Sequence, residues 1–129
     1  MHGFLNYLIK ANIKKVKYTI HGYKGKQVRD NIHSYDLLNI FWHYFQKPKH
    51  GEVYNVGGTR SNSCSILEAI EIIENVTKIK TNYNISKINR MGDHKWYITD
   101  MSKFKKDFTK FKLKYSLEKI IDDIASSML

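Results

Sequence analysis

Cysteine and proline occur once each, and arginine three times, in the 129 residues of this chain. A lone cysteine, Cys64, excludes an internal disulfide and the small secreted scaffolds built on them, and it agrees with a reducing, cytoplasmic setting. One proline and seven glycines leave no material for a collagen-like repeat or a proline-rich linker. No apolar run approaches the ~20 residues needed to span a bilayer. The opening Met1-His2-Gly3-Phe4 lacks the basic start and clean apolar stretch of a signal peptide. Membrane association is therefore not expected. What is present is an ordinary globular mixture, 42% hydrophobic and 26% charged. The length fits one domain, able to bury ~65–70% of its unfolded surface.

The formal net charge is +10, which raises the question of nucleic acid. The kind of basic residue argues against it. Only Arg29, Arg60 and Arg90 are arginines, and base readout relies on guanidinium forks. The lysines run from Lys10 to Lys119 without a dominant block. A generally basic surface that attracts anionic ligands is the better reading.

Periodicity predicts a mixed α/β (α+β) chain with short strands interleaved with helices. Helices are expected over Gly3 to Lys15, from Ser34 or Asp36 to before Pro48, and from Ser65 to about Thr77. Two more are expected over Met101 to Phe108 and from Ser116 onward. Ser65-Ile66-Leu67-Glu68 has the spacing of a capping box, and Asp100 and Ser116 are N-cap candidates. Strands are expected at Tyr18–His21, Gln27–His33, Glu52–Val56 and Asn82–Ile85, the first two as a hairpin across Gly22 and Gly25. Asn89–Lys95 reads as a loop.

Few residues are arranged for catalysis. The six histidines, His2, His43 and His50 among them, have no ligand spacing with a carboxylate or Cys64, so no metal site is expected. Cys64 lies just ahead of a helix start, where a thiol pKa can fall, yet no base accompanies it, and it is read as inert. Gly57-Gly58 follows a strand, but GxGxxG and Walker spacings are absent. Two arginine segments stand out more. Gln27-Val28-Arg29-Asp30 and Arg90-Met91-Gly92-Asp93 each set a guanidinium fork beside a carboxylate that could orient it. Such forks suit a diphosphate, and they equally suit a structural ion pair on a turn. Spacing alone does not decide between the two.

Taken in order, several pieces resemble one family. They are Tyr18-Thr19-Ile20-His21-Gly22, Gly25-Lys26-Gln27-Val28-Arg29-Asp30, Asn31-Ile32-His33-Ser34-Tyr35-Asp36, Gly51-Glu52-Val53-Tyr54-Asn55-Val56-Gly57-Gly58, Arg90-Met91-Gly92-Asp93 and Asp100-Met101-Ser102-Lys103. The chain is similar to the C-terminal part of extended short-chain dehydrogenase/reductase enzymes that act on nucleotide sugars. Gly22 to Lys26, Ser61 to Ser65 and Gly92 to Trp96 look most like the CDP-paratose (CDP-tyvelose) 2-epimerase group.

The resemblance implies a Rossmann-type fold whose cofactor-binding core is missing. Residues 1–129 would then form a nucleotide-sugar-binding domain without an N-terminal NAD-binding domain. NAD would serve the intact family enzyme and is not expected to bind this chain alone. The chain lacks the glycine-rich loop, and lacks a Tyr-x-x-x-Lys pair in the family's context, so no catalytic residue is assigned and no turnover is expected from it alone. By position, Arg29 and Arg90 match the arginines that grip the substrate diphosphate, and Gln27 matches a polar residue of the same pocket. Asp93 would orient Arg90 or its loop. Thr19 and His21 would flank the nucleobase, although the family usually places a larger aromatic at His21. Asn62 and Ser65 would lie at the pocket edge. The implied partner is a nucleotide-sugar, a CDP-sugar first. A non-catalytic subunit that associates with itself or with a separate Rossmann domain is the alternative, and a nucleic-acid-binding protein ranks below both. Glu52–Val56 would, in intact relatives, complete the cofactor-domain sheet.

Overall fold

The computed structural model describes residues 3–129, so the expectation for His2 lies outside the described residues. The elements are helices α1 (Phe4–Ile13), α2 (Ser34–Gln46), α3 (Ile66–Thr77), α4 (Ser102–Asp107) and α5 (Leu117–Ser126). The strands are β1 (Tyr18–His21), β2 (Val28–Asp30), β3 (Ser63–Ser65), β4 (Tyr83–Ser86) and β5 (Trp96–Tyr97). Short 3-10 turns at Tyr23–Gly25 and Arg60–Asn62 lead into β2 and β3. The fold is mixed α/β, with two small sheets.

Helices α1, α3 and α5 bury their apolar faces together because each carries large aliphatic residues at helical spacing. Leu8, Ile9, Ile73 and Ile121 are fully inaccessible there, and Ile20 of β1 joins them. Truncating such a residue to alanine costs about 2–5 kcal/mol. A second cluster is built by Ile40 of α2 with Met101, Phe104, Phe108 and Phe111. The capping box forms as its spacing predicts: the Glu68 amide donates to Ser65 Oγ at 3.2 Å, and the Ser65 amide donates to Glu68 Oε2 at 2.7 Å. Ser116 likewise caps α5 through the Lys119 amide at 3.3 Å.

Other local expectations need correction. Neither Ser34 nor Asp36 caps α2. The His33 imidazole does, with Nδ1 accepting the Tyr35 amide at 3.0 Å, because the Asp36 carboxylate is drawn inward. Asp100 Oδ1 accepts the Ser102 amide at 2.8 Å, but the residue flanking α4 is Met101.

The strands depart further. No β1–β2 hairpin forms. β1 pairs with β4 in parallel, Tyr18 opposite Tyr83 and His21 opposite Ser86. β2 is the centre of a three-stranded sheet, antiparallel to β3 and parallel to β5. Left-handed residues from Gly22 to Gly25 turn the chain out of β1's plane, which prevents the two strands from meeting. Glu52–Val56 is not a strand among the described residues. Tyr54 and Val56 pack on the second cluster while Val53 stays exposed, so the alternation that suggested a strand is real but has no neighbouring ladder.

Candidate functional site

In a strand, residues two apart share a face. Thr19 and His21 therefore point out of β1 on the side opposite buried Ile20. Gln27 and Arg29 repeat that spacing at the start of β2. The loop between β4 and β5 carries Arg90 and Asp93 back across both. These six residues, with Phe4, Tyr18 and Ile66, line one solvent-open cleft with a cavity volume of about 120 Å³. That is smaller than the ~300–1,000 Å³ of complete small-molecule sites, because the cleft is open to solvent on one side.

Gly22 fixes how closely the loop comes. It has φ +69°, and a Cβ there would stand 1.8 Å from Asn89 Oδ1. Only glycine allows Asn89, and so Arg90 beside it, to lie against the Gly22 turn. The loop is also tied to β2. The Val28 amide donates to the Lys95 carbonyl at 2.9 Å, and Tyr23 Oη donates to the Asp93 carbonyl at 3.3 Å.

The two arginines differ. Arg29 is internally engaged: Nη1 donates to the Val28 carbonyl at 2.6 Å, and Nη2 to Asp93 Oδ1 at 2.6 Å and to the His94 carbonyl. Arg90 is exposed and makes no ion pair or side-chain hydrogen bond among the described residues. Beside it, burial raises the Tyr18 phenol above its ordinary value and Tyr7 adds to this, while the Arg90 charge opposes both. Gln27 is buried. Its Nε2 donates to the His21 carbonyl at 3.3 Å, and its Oε1 has no partner.

Several expected roles are corrected. Asp93 holds Arg29 rather than Arg90, and through that pair it ties its own loop to β2. Asp30, the sequence neighbour of Arg29, does not orient it; its Oδ2 accepts the Thr59 and Thr99 amides at 3.0 and 3.2 Å. Asn62 and Ser65 do not reach the cleft. Asn62 is buried and donates to the Tyr115 carbonyl at 2.8 Å, and Ser65 is consumed by the cap of α3. Cys64 lies within β3, where burial, with Glu68 adding to it, pushes the thiol up to about 11. Such a thiol stays protonated and unreactive at neutral pH. Among the described residues no three His, Cys, Asp or Glu side chains gather to hold a metal ion.

The Gly57-Gly58 pair does not fit NAD. A Cβ on Gly58 would come within 1.8 Å of the Asn31 carbonyl oxygen, and one on Gly57 within 2.2 Å of Thr99 Oγ1. The space these glycines free is filled by this chain's own backbone and side chains, so it cannot admit a pyrophosphate. Sequence reasoning missed Phe4, Tyr18 and Ile66 as cleft residues because each also satisfies a helix or strand pattern.

Comparison with known proteins places this geometry. The family described as NAD dependent epimerase/dehydratase matches residues 1–57. CDP-paratose 2-epimerase of Salmonella typhi is 32% identical over 97 residues, 74% of this chain. The chain belongs to the NAD dependent epimerase/dehydratase family. It spans 28% of that relative's length. Among solved structures, MoeE5 in complex with UDP-glucuronic acid and NAD superposes at a TM-score of 0.83. It is 19% identical and covers 98% of this chain and 42% of its own. UDP-glucuronic acid 4-epimerase from Bacillus cereus, in complex with UDP-glucuronic acid and NAD, gives 0.81 at 25% identity, covering 97% and 40%. The fold of this chain is thus a partial match to larger epimerases. No helix among the described residues is long and apolar enough to cross a membrane.

Proposed function

We propose that residues 1–129 are the nucleotide-sugar-binding portion of an NAD-dependent epimerase, working in the cytoplasm. The diphosphate sits between Arg29 and Arg90, with Gln27 in the pocket wall and Thr19 and His21 flanking the base. The supporting observation is the convergence of these residues, from positions 19 to 90, on one cleft. A CDP-sugar is the favoured ligand, because the curated relative at 32% identity is a CDP-paratose 2-epimerase.

The residues present bind, orient and exclude water; they do not supply a hydride acceptor. In the family NAD supplies that chemistry, and no step is assigned to it here. The chain alone therefore turns over no nucleotide-sugar. Calorimetric titration with CDP, UDP, GDP and dTDP tests the reading. Saturable binding with CDP tightest supports it, and Arg90→Ala should weaken that binding about tenfold, the loss of one charge-assisted contact. Binding of none of the four would overturn it.

A second reading, a non-catalytic subunit, is favoured by one feature of α2. Leu38, Phe41, Trp42 and Phe45 recur at i, i+3, i+4 and i+7, and all four are 56–73% exposed. Such a stripe fits a surface that meets another copy or a Rossmann-type domain.

A further inference from the structure

We propose that Asp93 is a built-in competitor for Arg29 and sets how much negative charge a ligand must bring to use both arginines. This rests on the cleft being a diphosphate site. The Asp93 carboxylate stands 2.6 Å from Arg29 Nη2, with both side chains roughly three-quarters buried. It occupies the fork that an incoming phosphate would need, and it offers the same kind of oxygen. The fork's other donors are turned to the backbone at Val28 and His94. Partial burial weakens salt screening of this pair relative to a surface pair, so it is not simply washed out by buffer ions.

Arg90 presents the opposite case. It is exposed and unpaired among the described residues, on the same loop as Asp93 and lining the same cleft. A ligand's first phosphate therefore meets Arg90 at little cost. Its second phosphate must displace Asp93 from Arg29, exchanging one ion pair for another. The cleft holds two cations but shows an entering ligand little more than one.

Replacing Asp93 by asparagine isolates the charge. The carboxamide oxygen can still accept from Arg29 Nη2, so the tether from loop to β2 survives in neutral form. The full guanidinium charge is then left for the ligand. Hydrogen bonds between charged partners are roughly twice as strong as neutral ones. Asp93→Asn should thus tighten binding of inorganic pyrophosphate about tenfold. Orthophosphate, which one arginine satisfies, should tighten by no more than about twofold, the statistical gain of a second equivalent cation.

The test is calorimetric titration of the full chain, wild type and Asp93→Asn, with pyrophosphate, orthophosphate and CDP at one low ionic strength. Melting curves check that the variant is folded, and Asp93→Ser replaces it if it is not. Selective tightening of pyrophosphate and CDP establishes the competition. Wild-type binding that is unchanged or weaker in the folded variant makes Asp93 a structural tether or a ligand contact and overturns this inference alone. No binding of CDP or pyrophosphate by either protein overturns it together with the diphosphate reading.

Discussion

The Asp36 carboxylate accepts the backbone amides of Lys114 and Tyr115, at 2.9 and 3.1 Å, across 78 and 79 residues of sequence. It is wholly buried in the first turn of α2. Around it, the His33 ring stacks on Tyr115 at 3.8 Å, and His33 Nε2 lies 3.3 Å from Asp123 Oδ2. The start of α2 is thus fastened to the approach to α5, which joins the two apolar clusters. Asp36→Ala leaves two partly buried amides without partners. At ~1–3 kcal/mol for each, the loss should be about 3 kcal/mol. Urea unfolding should show it as a lower midpoint at unchanged slope. Asp36→Asn keeps one acceptor and should lose about half as much.

Elements whose cause is local were legible in the sequence. The Ser65–Glu68 box and the Ser116 cap need only four residues each, and both form. The small sheets were not legible. β2, β3 and β5 are two or three residues long, and their partners lie 33 or more positions away, so no periodicity announces them. The hairpin expectation failed because four consecutive left-handed residues were read as an ordinary tight turn. In the cleft, Arg29 and Arg90 were visible as rare residues in repeated settings, but the ion pair was assigned to sequence neighbours. Arg29 pairs with Asp93 across 64 positions rather than with adjacent Asp30, whose carboxylate is taken by two loop amides. Thr19, His21 and Gln27 carried no signal of their own beyond the family likeness.

Gly22 makes a separate demand. An alanine there is strained by its left-handed backbone, at ~1–2 kcal/mol, and its methyl group overlaps Asn89. The loop must move and carry Arg90 with it. Gly22→Ala should therefore weaken CDP binding severalfold as well as lower the melting temperature by several degrees. A variant that melts earlier but binds CDP as wild type does would show that Arg90 is not held in place by this contact.

Acid should attack the caps first. Hydrogen bonds from the Ser65 amide, and next its hydroxyl, hold the Glu68 carboxyl below its ordinary value of 4.5, against a small opposing effect of burial. Glu74 is held down likewise, by Lys80 first and then by the Thr81 amide. A carboxylate with a depressed folded pKa stabilises the fold fully above its unfolded value. That contribution disappears as pH falls below 4.5 through the folded value. Melting temperature should accordingly fall between pH 5 and about pH 3. Glu68→Gln, which keeps an acceptor but carries no charge at any pH, should lower the melting temperature modestly at pH 7 and so flatten part of that fall.

The exposed stripe on α2 leads to the last expectation. Leu38, Phe41, Trp42 and Phe45 lie on the side of the helix away from Ile40, which is buried in the second cluster. Four large side chains in one row form an apolar patch of the kind that monomeric surfaces seldom leave uncovered. Their substitution by charge should cost the fold little, because none of the four belongs to either buried cluster. Phe45→Lys with Phe41→Glu should therefore leave the melting temperature within a few degrees of wild type. The same pair should abolish concentration-dependent light scattering and reduce binding of a hydrophobic dye. The Arg29–Arg90 cleft draws no lining residue from α2, so CDP affinity should not change. If wild type scatters as a monomer at high concentration and binds no dye, the stripe is not an interface and the subunit reading loses its support.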